Sequence, residues 1–256
     1  MNRPTGLIPE NLLSLHLAEE GLRGKALDLI ARDNRLQLHL EIVEAAMDLA
    51  DTFRQFDTMD EDIKVAQVLG MRMFNALGAS LKLTLSGYHQ NSALILRDVL
   101  ETVFLLDLFS GDRSQISTWR YADKKTRLKE FSPVKVRTKL DERDGCTSKK
   151  RAEIYELFSE LAGHPNMKSA WMMRPNKNGD AVIGPFMEAT ALDAVLSEMG
   201  RLAVQAGQHI NAFVPADWQY SEASRSAFSQ AKRRWVSTFY PAAKSDQPTT
   251  SDPSKA

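Results

Sequence analysis

The stretch from residue 86 to residue 109 limits what this chain can fold into more than any other part of it. It is apolar around most of its circumference, and its few polar residues recur at helical spacing. At about 100° per residue, Gln90, Arg97 and Glu101 fall in one narrow column, and Asn91, Asp98 and Thr102 form a second column beside it. Leu96, Val99, Leu100, Val103 and Leu106 cover the opposite side, while Leu105 and Phe109 close the polar sector towards the C-terminal end. A helix this apolar must be wrapped by several others, so residues 86–109 are expected at the centre of an all-α, multi-helix bundle.

The flanking sequence supplies those helices. Apolar periodicity predicts one over residues 10–30 and a second from Asn34, as its cap, to Phe53. A long third begins at Asp60, Glu61 and Asp62, whose negative charges suit the positive end of a helix dipole, and stops at Gly87. Residues 113–122, 124–131 and 133–143 read as short helices, with Pro133 tolerated at a first helical position. Thr147 is the expected cap of a helix over 148–162, which Gly163 and Pro165 bring to a halt around His164. Residues 188–213 and 217–239 complete the set. Only residues 166–186 break the pattern: an Asn-Gly step at Asn178 and Gly179, between the runs 170–174 and 181–186, predicts a small β-hairpin or an ordered loop. Residues 1–9, with Pro4, Gly6 and Pro9, are expected as a flexible arm, residues 10–240 as a single helical domain, and residues 241–256 as a disordered tail.

The length of 256 residues and an apolar fraction of 43% allow one substantial core, or at most two small ones. Formal net charge is zero, but its distribution is uneven: residues 1–65 carry a net −6 and residues 119–151 a net +7. Such asymmetry points to an electrostatic surface without naming the partner. Cys146 stands alone, which removes intramolecular disulfides and cysteine-based metal clusters. No secretory leader and no charge-free apolar run of about 20 residues is visible, so a cytoplasmic protein without a membrane partner is expected.

Three sets of residues are candidates for function. Arg97 and Glu101 stand at i and i+4 with Gln90 earlier on the same face. They read either as a structural ion pair or as a ligand pocket in which Arg97 takes a phosphate or carboxylate and Glu101 orients it. His164, at a helix end, interacts with the helix carbonyls or serves as an acid–base group. The basic run 119–151 interleaves Trp119, Tyr121 and Phe131 with cations. It is either a solvated face or a surface for RNA or nucleotide, with Lys124, Lys125 and Lys129 as contacts. No histidine pair has metal-ligand spacing, and glycine-rich phosphate loops, dinucleotide fingerprints and nucleophile elbows are all missing, so neither metal nor cofactor is expected.

Gly87, Tyr88, Ala93, Arg97 and Glu101, followed by a basic region and then Tyr155, Leu157, Ser159, His164 and Pro165, form an order of elements that resembles bacterial all-helical proteins of unknown function related to the HEPN superfamily. That name refers to nucleotide binding in higher eukaryotes and prokaryotes, and the resemblance covers roughly residues 60–213. It implies a four-helix core and, as in many members, a role in RNA cleavage or toxin-linked conflict systems. Active ribonucleases of that superfamily carry Arg followed by His after four to six intervening residues. Arg35 and His39 here have three between them, and Arg201 and His209 have seven.

Two functional readings follow. The first is a non-catalytic helical binding or regulatory protein, linked to defence or mobile elements and acting as a homo-oligomer. The alternative is an RNA- or nucleotide-processing enzyme using Arg97, Glu101 and His164.

Overall fold

The structure, a computed structural model, describes residues 9–175 and 179–241. Among them are ten α-helices: α1 (Glu10–Arg32), α2 (Asn34–Phe53), α3 (Glu61–Leu85), α4 (His89–Gly111), α5 (Ser114–Tyr121), α6 (Lys124–Glu130), α7 (Pro133–Arg143), α8 (Lys150–Phe158), α9 (Ala189–Asn211) and α10 (Glu222–Phe239). The fold is an all-α multi-helix bundle, with no strand among the described residues.

Local chemistry sets the helix ends. Asp33, rather than Asn34, caps α2: its carboxylate accepts from the Arg35 amide at 2.8 Å. Asp60 caps α3 through the amides of Asp62 and Ile63 at 2.8 and 3.3 Å, with Glu61 and Asp62 in the first turn. Gly87 stops α3 at a φ of +86°, which costs other residues strain and glycine very little. A Cβ there would also lie 2.5 Å from the Phe186 carbonyl oxygen, and the Phe186 amide donates to the Gly87 carbonyl at 3.2 Å. Tyr88, the next residue, donates its hydroxyl to Glu19 of α1 at 2.6 Å, and that bond pushes the phenol up to about 12.

Helices α2, α3, α4 and α9 pack on one another, α10 lies on α2, and α5, α7 and α8 attach to α4. The apolar side expected of α4 is its buried side: Leu96, Val99, Leu100, Val103 and Leu106 are all at most 2% exposed, and Phe109, expected to close the polar sector, is fully buried as well. They meet Phe53, Met73, Leu77, Leu192 and Leu196 in one continuous core. Fully burying a side chain of this size stabilises by about 1.5–3 kcal/mol. Along the second polar column, Asn91 is exposed, Asp98 pairs with Arg72 of α3, and Thr102 is buried with its hydroxyl donating to the Asp98 carbonyl at 3.0 Å.

Polar groups are also placed inside. His39 of α2 is fully buried, and its Nδ1 accepts from the Trp235 indole N–H at 2.8 Å. The Phe239 ring stacks on the imidazole with centroids 4.4 Å apart. This contact pins α10 to α2 across Gly200 of α9, where a Cβ would come within 2.8 Å of the indole nitrogen. Burial lowers the imidazole to about 4, so it is neutral in the folded chain.

Two expectations need correction. The helix expected over 148–162 begins at Lys150, is not capped by Thr147, and turns into one π-helical turn at Ser159–Gly163, closed by His164 N–H donating to the Ser159 carbonyl at 3.0 Å. The hairpin expected over 166–186 gives way to a 3₁₀ helix, Met167–Met173, because the Asn166 side chain accepts from the Ser169 amide at 3.0 Å and starts a turn where a strand was expected. The ordered-loop alternative describes the other limb, whose Val182 amide donates to the Met173 carbonyl at 3.0 Å. The Asn176–Asn178 tip, the arm over residues 1–8 and the tail over 242–256 lie outside the described residues. No helix among the described residues is long and apolar enough to cross a membrane.

Candidate functional site

Arg97 and Glu101 are brought together on α4, with Arg97 Nη2 3.4 Å from Glu101 Oε1. The rest of the cluster comes from elements that sequence spacing does not connect to α4. The Arg97 Nε–H donates to Ser159 Oγ at 3.0 Å, and its Nη2 donates to the Tyr155 hydroxyl. Tyr155 in turn donates to Glu101 Oε1 at 3.0 Å. The π turn is what aligns this set. Its extra residue puts Ser159 on the guanidinium and Gly163 flat against the Arg97 side chain, where a Cβ would sit 3.4 Å from Cδ. Single π turns of this kind recur at functional sites.

Arg137 of α7 completes the cluster and is the residue the sequence reading missed. Its guanidinium carbon lies 4.1 Å from the Tyr155 ring centroid, and that of Arg97 lies 4.8 Å from the same centroid. Arg137 is 9% exposed, its Nη1 is occluded without a hydrogen-bond partner, and it makes no ion pair among the described residues. Two guanidiniums therefore face one tyrosine ring, while the Glu101 carboxylate pairs with Arg97, leaving the cluster with a net positive charge. In sequence Arg137 is one of twelve basic residues between 119 and 151, and nothing local separates it from its exposed neighbours.

The other candidates fall outside this cluster. Gln90, half-buried one turn-pair earlier on α4, makes no side-chain hydrogen bond among the described residues. The backbone of His164 follows Gly163 and is thereby near Arg97, but its side chain is exposed, and only its backbone groups are hydrogen-bonded. Lys124, Lys125 and Lys129 are exposed on α6, with Lys129 3.5 Å from Glu130.

On the neighbouring side of α4 a cleft of about 430 Å³ opens between α4, α8 and α9, with Leu100, Phe104 and Ile154 on its floor. Its charged groups largely satisfy one another. Asp107 takes Arg143 at 2.9 Å and lies 3.8 Å from both Arg151 and His209, and Asp141 takes Arg151 at 2.6 Å. Burial lowers His209 and raises Glu198, which holds Arg201 at 3.0 Å. Arg201 and His209, too far apart in sequence for the ribonuclease spacing, both line this cleft. The network ties α4, α7, α8 and α9 together.

Comparisons with family models, with curated proteins and with solved structures find no match to this chain.

Proposed function

We propose that the chain is a helical binding protein of regulatory rather than catalytic kind, and that it takes an anionic group, a phosphate or carboxylate, at the Arg97–Arg137 cluster. The observation that carries this reading is the Arg137 guanidinium, buried against Tyr155 with no carboxylate partner among the described residues. Arginine cannot shed its proton inside a protein, so burial leaves it charged. An uncompensated buried charge costs several kcal/mol, of which a cation–π contact returns only about 0.5–2 kcal/mol. A bound anion would supply the rest, with Arg97 beside it and Glu101 and Ser159 holding Arg97 in place. Displacement of the π turn and the 3₁₀ helix that pack over α4 would admit it.

The HEPN resemblance, carried by Gly87, Tyr88, Ala93, Arg97 and Glu101, extends the proposal to a role in defence or mobile elements. A processing enzyme using Arg97, Glu101 and His164 would need the exposed imidazole to turn towards the cluster, whereas binding asks no group to move a proton.

Thermal melts of the full chain with inorganic phosphate, and with chloride at matched ionic strength, test the reading. Phosphate at a hundred times its Kd should stabilise the parent by about 2.7 kcal/mol. Arg137→Met and Arg97→Ala should both abolish that response. A parent that melts identically in phosphate, acetate and chloride would overturn the proposal.

A further inference from the structure

A second, independent feature concerns the outer surface of α2. A groove of about 1080 Å³ runs between α2 and α3, floored by Leu40, Val43, Met47, Phe74 and Leu81. Its α2 edge carries Glu41, Glu44, Asp48 and Asp51, spaced so that all four project along one line of the helix. Arg234 pairs with Glu41, and Arg54 takes Asp51 at 2.6 Å. Glu44 and Asp48 are exposed and have no ion pair among the described residues. The groove thus offers an apolar trough beside two uncompensated carboxylates.

The complementary surface is on the same chain. Helix α6 presents Lys124, Lys125, Arg127 and Lys129 around Leu128, which is 63% exposed, and Tyr121, just before it, is 77% exposed. Lys124, Lys125 and Arg127 have no ion pair among the described residues. Among the described residues α6 packs on α7 and has no comparable contact with α2 or α3, so the two surfaces do not meet within one molecule. We propose that they meet between molecules: the basic, leucine-tipped α6 of one copy docks in the acidic apolar groove of the next.

Three points favour a second copy over another occupant. Charge complementarity is strong, since the −6 of residues 1–65 faces the +7 of residues 119–151, opposite charges of nearly equal size. Groove-to-groove pairing is disfavoured because it would set Glu44 and Asp48 against their own copies, and like charges placed together across an interface cost several kcal/mol. Finally, the Leu128 knob is exposed and the trough side chains Leu40, Met47, Phe74 and Leu81 are only half-buried, so docking removes from water surface that an isolated chain leaves wet. Because the two faces differ, the contact is heterologous and closes into a ring or runs on as a filament.

Sedimentation velocity on the full chain across concentration and salt tests this. The parent should associate with rising concentration, and high salt should weaken the association. A groove variant, Glu44→Lys with Asp48→Lys, and a knob variant, Lys124→Ala with Lys125→Ala and Leu128→Ala, should each sediment as monomers. All of these positions are exposed, so unchanged circular dichroism melts verify that the variants fold. Mixing the two variants is decisive: each retains one intact face, so the mixture should form a discrete 1:1 complex and grow no further. A parent that stays monomeric at low salt, a groove variant that still associates, or a mixture that stays monomeric would each overturn the proposal. Binding of RNA to α6 by a parent that does not self-associate would do the same and assign the basic face to nucleic acid.

Discussion

His39 and Arg137 are both buried, both lie against an aromatic ring, and both leave a ring or guanidinium nitrogen without a hydrogen-bond partner among the described residues. The two walls of the molecule that hold them resolve the problem differently. In the α2–α9–α10 wall, the imidazole gives up its charge. Burial holds it neutral, Nδ1 accepts from Trp235, and Asp193 Oδ1, 4.0 Å from Nε2, is too weak a partner to bring the proton back. In the α4–α7–α8 wall the guanidinium has no neutral form to adopt, so its charge stays. One wall is chemically closed; the other keeps a charge without an ion pair among the described residues. Under the proposed reading the comparison separates a structural polar core from a ligand site, although the two look alike by burial alone.

The largest expected effect lies in the closed wall. Trp235→Ala removes a ring that is 3% exposed and packs on His39, Phe239 and Tyr240. Emptying such a site should cost about 3–5 kcal/mol in urea unfolding, and phosphate should not restore it. A loss below about 1 kcal/mol would mean that α10 is loosely attached and that the wall is not closed.

Acid should act next, and through the same wall. His39 is held near 4 when folded against about 6.5 unfolded, chiefly by burial; Asp193 and Asp33 raise it and Arg35 lowers it. The unfolded chain therefore binds the extra proton first. His39's contribution is fully present above pH 6.5, declines as pH falls, and is gone below about pH 4, a change of about 3 kcal/mol. Urea unfolding at stepped pH should show this slope, and His39→Gln, which keeps an acceptor for Trp235, should lack it. An unchanged slope in the variant would assign the acid sensitivity to other groups, His209 among them.

Arg137 should respond with the opposite sign. Met has similar length and no charge, so Arg137→Met should stabilise the free protein by about 1–3 kcal/mol, since apolar replacement of a buried charge is often favourable. A substitution that raises Tm in buffer while erasing the response to phosphate would set the two walls apart most clearly. If it instead cost several kcal/mol, Arg137 would already be compensated within the chain, and the open wall would be as closed as the other.

The difference between the walls also explains what could be seen in the sequence. Residues 86–109 revealed their central position because the apolar side of one helix is written in a single periodic run. The pairing of Arg97 with Glu101 was visible for the same reason, being i to i+4 on that helix. Asp60, Gly87 and Pro133 marked ends because each acts on its own backbone. Tyr155, Ser159 and Arg137 reach the cluster from α8, the π turn and α7, and no spacing rule links them to α4. The π turn itself is invisible, since residues 148–162 carry an uninterrupted helical pattern and the extra residue is fixed by Arg97 from outside. The strand expected over 170–174 was misjudged because turn chemistry was weighed without the Asn166 cap, which starts a 3₁₀ helix there.

The smallest expected effect belongs to Gln90, which sequence spacing placed on the face of Arg97, and to His164, which only the enzyme reading joined to it; neither side chain is hydrogen-bonded to Arg97 among the described residues. His164 has an exposed side chain without a hydrogen bond among the described residues, and Gln90 makes none from its half-buried amide. Substitutions at such positions usually stay within about 0.5 kcal/mol. His164→Ala and Gln90→Ala should therefore melt like the parent, and both should keep its full stabilisation by phosphate. The melts in phosphate are the sharper half of the test. If His164→Ala reduced the phosphate response as strongly as Arg97→Ala, the imidazole would have to reach the cluster when the ligand is bound. The open wall would then hold an arginine, a carboxylate and a titratable base around one anion, the set a processing enzyme needs, and the binding reading would give way to the catalytic one.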